Sequence, residues 1–479
     1  LGDLFSKYTG SPFTGTTGSY FNNKMSIEDW PFDLNVGTNN TYADYNNVFI
    51  FKFCKGSILD WVKNPKTWTQ ANTFNTEGVE DPANAYQQLI AISSWIQNYI
   101  EEAEAAYQYG LENPESNQAI LYEKFHTIIN SPNWNGILAL KVDIDLKEFP
   151  QQLKGLISGI DLNRFNAHHF GIEVNKVNAE GEITMEKNSS LFGLINYLDT
   201  AYQQQLMQGL NVEKPVQPTV GKVYDFKVLQ LQVLFENTAI KFFQSKVQLT
   251  MNRLFSDTVI STNNPYGSED INTVVLDGTY QDHDGTPVYV FENTFDNLFY
   301  FNSNLLKNVE ITKIQFNTLT TNPDATTIES RFTMWGYLNY AVMQTTLEDS
   351  KGVSKTTIMD AFFFGNGDGT NTIDITDGLS YNNLFIDMDF NIDTPTVVNY
   401  AFDAGQIVFN SNLSTSRKYS LYPNFALQIN NLVSGDKANL PSSLGYLSLG
   451  IPGINTKGLT GDWYGLEMTL NMGTPGELA

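Results

Sequence analysis

After Pro218 the chain reads almost entirely as strands, with long runs in which apolar and polar residues alternate. A period of two sends successive side chains to opposite faces of a strand, so this half reads as sheet. Phe226, Val228, Leu229, Leu231, Val233 and Phe235 open the pattern. Val247, Leu249 and Met251 continue it against Lys246, Gln248, Thr250 and Asn252. Asp282-His283-Asp284-Gly285 stands between two apolar runs and is a hairpin signal, because Asp-Gly suits the positive φ angles of tight turns. Further strands are predicted over 309–316, 331–340, 384–392, 397–402, 407–409, 425–429 and 464–470. One polar and one apolar face per strand is the pattern of antiparallel sheets covered on a single side. The expectation is a large antiparallel sandwich or curled sheet.

The first half is mixed. A strand is predicted over 48–53. Asp81-Pro82 then offers a helix start, followed at helical spacing by Leu89, Ile92, Ile96 and Tyr99, with Gly110 as the stop. A second helix begins near Pro114-Glu115 and puts Ile120, Leu121, Phe125, Ile128 and Ile129 on one face. Together they predict a helical hairpin. Leu138, Leu140, Val142, Ile144 and Leu146 alternate as a strand, and a third helix is expected from Ser189 to Gln208, with Leu191, Leu194, Ile195, Leu198 and Tyr202 inward. Lys214-Pro215-Val216-Gln217-Pro218 reads as an extended spacer. The fold class is therefore α+β and mainly β. Residues 1–214 form a mixed region with about three helices, and 219–479 an antiparallel β-rich region. No repeat of 20–50 residues points to a propeller or solenoid.

Composition narrows the function classes. The 479 residues are 41% hydrophobic and 17% charged, as in a globular chain. The net charge is −24, spread evenly along the sequence. Such a surface repels phosphate, which disfavours nucleic acid and anionic lipid as partners. One cysteine, Cys54, excludes an internal disulfide framework and a thiolate zinc cluster. No run reaches the roughly 20 apolar residues needed to span a bilayer. No signal peptide is visible, Leu1 is not an initiator Met, and the closing Gly473-Thr474-Pro475-Gly476 reads like the entrance to another segment. These features lead us to expect an excised piece of a longer protein.

Two stretches bear a resemblance. Phe149-Pro150-Gln151-Gln152-Leu153-Lys154-Gly155-Leu156, with Gly159-Ile160-Asp161 and Ala167-His168-His169-Phe170-Gly171, resembles segments of large uncharacterised bacterial proteins. So does Trp463-Tyr464-Gly465-Leu466 with Leu470-Asn471-Met472-Gly473. The resemblance covers about a tenth of the chain. It implies a module of a longer bacterial protein and carries no activity or site residues.

Catalytic signatures are missing: there is no Gly-x-Ser-x-Gly elbow, His-Glu-x-x-His helix, P-loop or dinucleotide fingerprint. The four histidines are His126, His168, His169 and His283. Neighbouring His168 and His169 point to opposite faces if they lie on a strand, so they cannot easily share one metal there, whereas in a loop they could. His126 falls among the apolar positions of a helix and reads as structural. Cys54 follows an apolar strand and reads as a small buried hydrophobe. Asp143, Asp145, Asp387 and Asp389 are candidates for a paired-carboxylate glycosidase centre. Asp387 and Asp389, however, alternate with Ile386, Met388 and Phe390, as on the solvated face of a strand. Trp30, Trp61, Trp68 and Trp134 lie outside clear strand patterns and are candidates for exposed sugar-stacking rings.

The sharpest constellation runs from Asn366 to Asp377. Counted as an EF-hand-type loop, it offers calcium oxygens at Asn366, Asp368, Thr370, Thr372, Asp374 and Asp377. It departs from that loop at the sixth position, Asn371, and at the twelfth, Asp instead of Glu, and flanking helices are not evident. The same Gly, Asn and Asp residues also build a turn between strands. Three functional readings follow. The first is a non-enzymatic structural or binding module of a larger bacterial protein, surface- or particle-associated. Its partners are other subunits or the rest of its own chain. The second is a carbohydrate-binding or carbohydrate-active protein using an Asp/Glu pair. The third is an apolar-ligand carrier built on the run from Phe226 to Phe255.

Overall fold

The computed structural model describes residues 24–25, 34–35, 48–63, 82–144, 146–173, 176–177, 183–184, 191–208, 216–236, 239–255, 257–263, 272–283, 286–293, 297–301, 306–340, 344–348, 351–352, 354–358, 378–410, 427–435, 438 and 463–470. The chain is mainly β with a helical minority, and its paired strands run antiparallel. It divides into two units, each discontinuous in sequence. The first comprises Leu1–Pro150, Asp161–Leu198 and Gln230–Gln244; the second comprises Gln151–Ile160, Asp199–Leu229 and Ser245–Ala479.

In the first unit, strands Val48–Lys52, Gly136–Ile144, Asn166–Glu173 and Leu191–Leu198 pair in succession, and the last pairs with the 230–236 part of strand Tyr224–Glu236. Helices Ile58–Lys63, Pro82–Glu112 and Gln118–Asn130 pack against this sheet. Ile96, Ile100, Ala103, Phe125, Ile128 and Ile129 from the helices meet Val48, Leu138, Leu140 and Phe192 from the strands in one apolar cluster. Burying each large side chain contributes about 1.5–3 kcal/mol. The hairpin predicted from helical spacing is therefore present, but Gly110 does not end its first helix, which continues to Glu112. A Cβ on Gly110 would lie 2.0 Å from the backbone nitrogen of Ala119. The glycine lets two helices touch instead of stopping one.

The helix expected over Ser189–Gln208 is corrected to a strand, Leu191–Leu198, followed by helix Thr200–Met207. Phe192 and Leu194 are buried on one parity, Ile195 and Tyr197 on the other. A strand covered on both faces mixes the parities and imitates helical spacing. Asp199 separates the two elements and caps the helix, accepting hydrogen bonds from the backbone N–H groups of Ala201 and Tyr202 at 2.9 and 3.1 Å.

In the second unit, strands Thr273–His283, Thr286–Asn293, Leu306–Thr318, Thr327–Tyr340, Leu379–Asn391 and Val398–Asp403 pair in succession. His283 pairs with Thr286, so the two strands flanking 284–285 pair antiparallel as a hairpin requires. Phe226, Phe291, Phe316 and Phe332 interlock on the covered face, with ring centroids 4.7–5.9 Å apart. The Gln151–Gly159 segment is a 3₁₀ helix on the same face, its Leu153, Leu156 and Ile157 fully buried. A Cβ on Gly155 would fall 2.7 Å from the Phe316 ring, so only glycine fits there. Lys154 is buried with its ammonium donating to the Pro323 carbonyl at 2.9 Å. Val216 is buried in this unit and exchanges two hydrogen bonds with the Gln248 amide.

The run opening at Phe226 is covered on both faces, since Gln230, Gln232, Gln248 and Thr250 are as buried as Val228, Leu231 and Val247. Their amides and hydroxyls are satisfied internally. Gln230 donates to Gln232 at 2.6 Å, and Gln232 to Asn196 at 2.8 Å. No helix among the described residues is long and apolar enough to cross a membrane.

Candidate functional site

The most unusual cluster of chemistry-bearing side chains lies in the first unit, around His168 and His169. Regular alternation would separate the two rings, and the backbone prevents that. His169 adopts a left-handed φ of 53°, where the strand shifts register between His168 and Gly171. Few non-glycine residues take this conformation, and it costs about 1–3 kcal/mol. The expectation that these histidines face apart is thus corrected: both rings enter one aromatic cluster, with centroids 6.1 Å apart.

His169 lies flat on Phe125, at 3.8 Å between centroids and 9° between planes, with Tyr99 and Tyr122 edge-on at 5.6 and 5.1 Å. Its Nδ1 is buried without a hydrogen-bond partner. His168 Nδ1 is 2.8 Å from the Tyr99 hydroxyl, which also donates to the Leu140 carbonyl. A phenol has one proton and a carbonyl only accepts. Tyr99 therefore gives its proton to Leu140 and receives one from His168, which fixes the Nδ1–H tautomer. Burial pushes the His168 pKa down to about 4, with Lys141 adding a smaller push. Burial holds His169 well below the ordinary histidine value, and His168 lowers it further. Both imidazoles are neutral at pH 7.

The second unit carries several partly exposed charged pairs. Arg331 binds Asp387 through two hydrogen bonds and lies 4.1 Å over the Phe385 ring. Lys313 reaches Glu292 at 3.1 Å and covers Trp335 at 5.4 Å. Glu292 is held below the usual carboxylate range, first by the hydrogen bond from Gln315 and then by Lys313. Asp389 accepts from Asn399 at 3.1 Å. Asp387 and Asp389 do sit on the polar side of their strand, opposite buried Ile386, Met388 and Phe390.

Other candidates separate. His126 pairs with Glu104 at 2.7 Å and stacks on Tyr107. Cys54 is exposed, not buried: the strand ends at Lys52, two residues earlier. The buried group is Lys52, whose ammonium donates to the carbonyls of Cys54, Pro132 and Trp134. Trp134 is not exposed either; it is buried in the helix–sheet core. Trp61 is half-buried, 5.9 Å from the Lys52 ammonium. Asp143 occupies a register position opposite Asn166. Asp145, Trp30 and Trp68 lie outside the described residues, as do Asn366, Asp368, Thr370, Thr372, Asp374 and Asp377. Among the described residues, no three His, Cys, Asp or Glu side chains gather as a metal site.

The Tyr99–His168 bond and the amide row were beyond sequence reasoning, because both depend on long-range strand register. The one local signal was the His-His-Phe-Gly string, whose glycine lets Phe192 approach: a Cβ there would lie 2.0 Å from its ring. No family model matches this chain, and neither does any curated protein or solved structure.

Proposed function

We propose that this chain is a non-enzymatic structural or binding module of a larger bacterial protein, associated with a cell surface or a regular particle, its main sheet curled around the phenylalanine core. One observation supports this most: His126, His168 and His169, with the charged pairs Lys246–Asp277 and Arg331–Asp387, are engaged in holding the fold. His168 and His169 are sealed among aromatic rings, and His126 is paired with Glu104. Lys246 is paired with Asp277, and Arg331 with Asp387. A general acid or base must instead be presented to a substrate with a pKa near the working pH. The partners are other protein subunits or the remainder of a longer chain. The test is sedimentation and negative-stain imaging of the full-length protein tagged in its native host. Co-sedimentation with an envelope or particle fraction supports the proposal; a freely soluble monomer overturns it.

A second reading, glycan binding, draws on the Lys313–Trp335 pair, which sets a half-buried ring beside a charged hydrogen-bonding group. Quenching of Trp fluorescence by sugars, lost in Trp335→Ala, supports it; a blank glycan array removes it. Calcium binding at 366–377 is a separate proposal. Calorimetric titration of calcium into the chelator-treated chain decides it, through heat that vanishes in Asp368→Asn/Asp374→Asn.

A further inference from the structure

We propose that His168 and His169 form an acid-sensitive latch: neutral, they fasten the helical pair Pro82–Glu112 and Gln118–Asn130 to the sheet of the first unit, and protonation releases it. The inference is independent of what the module binds.

The geometry carries it. The wall around the two imidazoles is made by the helices themselves, with Tyr99 from the first, and Tyr122 and Phe125 from the second. The floor is sheet: His168 pairs with Lys141 on one neighbouring strand and with Leu194 on the other. Tyr99 ties helix to sheet twice, through the Leu140 carbonyl and through His168. Tyr122 ties the second helix to Asn196 at 3.1 Å.

None of the charges near this cluster pairs with a cation on either ring. From the sheet comes Lys141, of the same sign, acting on His168. From the helices come the two tyrosines, neutral, and Glu102, whose field acts on those tyrosines. The nearby carboxylate Glu104 is engaged with His126. Among the described residues, neither His168 nor His169 is hydrogen-bonded to or paired with a carboxylate. An added proton on His168 must go to Nε2, since Nδ1 already holds one. His169 also has no carboxylate to receive a charge. Each proton thus creates a buried cation without a counter-ion, which is strongly disfavoured. Moving the helices away rehydrates both rings, and the strained left-handed backbone of His169 relaxes with them.

Amide hydrogen exchange of the full chain, corrected for intrinsic rates, tests this between about pH 7 and about pH 4.5. The expected result is a loss of protection of about tenfold or more for amides in 96–112 and 118–130. Amides of strands 327–340 and 379–391 in the second unit change far less. His168→Asn/His169→Phe, which keeps a donor toward Tyr99 and a ring against Phe125, abolishes the difference. Helices that stay protected at the lower pH overturn the proposal, and so does a double variant that opens at the same pH as the parent. Should that variant fail to fold, histidine ring NMR of the unmodified chain decides. Titration of both rings above about pH 6 with the helices closed overturns the latch. Rings that titrate only as the helices open support it.

Discussion

Arg331 holds Asp387 across adjacent antiparallel strands with two parallel bonds, Nε to Oδ1 at 2.6 Å and Nη2 to Oδ2 at 3.0 Å. Both side chains are about one-third exposed, so solvent screening limits what the pair contributes. The fork geometry and the stack on Phe385 are what a lysine cannot reproduce. Arg331→Lys is therefore expected to lower stability by about 0.5–1 kcal/mol, and Arg331→Ala by about 1–2 kcal/mol. Urea unfolding at low and high salt checks this, and the loss shrinks as salt rises.

Gly110 reverses a common expectation. Within a helix, Gly→Ala normally stabilises by about 0.5–1 kcal/mol. Here the new methyl meets the backbone of the second helix, 2.0 Å from Ala119 N and 2.7 Å from Gln118 C. Backbone cannot rotate away as a side chain can. Gly110→Ala is expected to destabilise the hairpin by about 2 kcal/mol or more, read from the helical circular dichroism signal in a urea titration. A gain in stability would falsify the tight contact.

Elements whose pattern answers to one neighbour were legible in the sequence. Ile96 on the first helix and Leu121, Phe125, Ile128 and Ile129 on the second mark buried stripes, though Ile120 is exposed, and Ile386, Met388 and Phe390 mark a single buried face. Leu191–Leu198 was not legible, because burial on both sides erases the parity that distinguishes strand from helix. The Gly110 contact was hidden for a related reason: a glycine that ends a helix and one that lets a second helix approach look alike in sequence. For the histidines, local rules fail outright. Alternation assigns His168 and His169 to opposite faces, and a left-handed residue at a register shift cancels it. Lys52 and Trp134 were unreadable as a pair, since 82 residues separate the ammonium from the carbonyl it holds.

That lysine gives the third prediction. Burial pushes the Lys52 pKa down, yet its ammonium has a carbonyl partner for each of its three donors, at Cys54, Pro132 and Trp134. Lys52→Met fills much of the same volume but leaves three carbonyls without their donor. The expected cost is about 3 kcal/mol, from carbonyls desolvated and unpaired. Lys52→Arg recovers part of it, because a guanidinium still donates. Thermal unfolding of the two variants, side by side, separates lost hydrogen bonds from lost packing; equal losses in both would assign the effect to packing.

The histidine pair fixes the sign of the acid response. In the unfolded chain a histidine binds its proton near pH 6.5, whereas folded His168 does so only near 4, and His169 is lowered in the same direction. Between those values the unfolded state holds more protons, so stability rises with pH and falls as pH drops. The contribution of His168 is fully present above about pH 6.5 and is lost progressively toward pH 4. Each histidine that differs by one proton gives a slope of about 1.4 kcal/mol per pH unit. Urea titrations of the helical signal, above the range where most carboxylates titrate, are expected to show about half of the combined two-histidine slope near pH 6.5 and to approach twice the single-site slope near pH 5.5. His168→Asn should remove about half of it while keeping stability near pH 8 within about 1 kcal/mol, since its amide still donates to Tyr99. A slope near zero in the parent chain would mean that the two rings are solvated and that their burial against Phe125 and Tyr99 does not hold in solution.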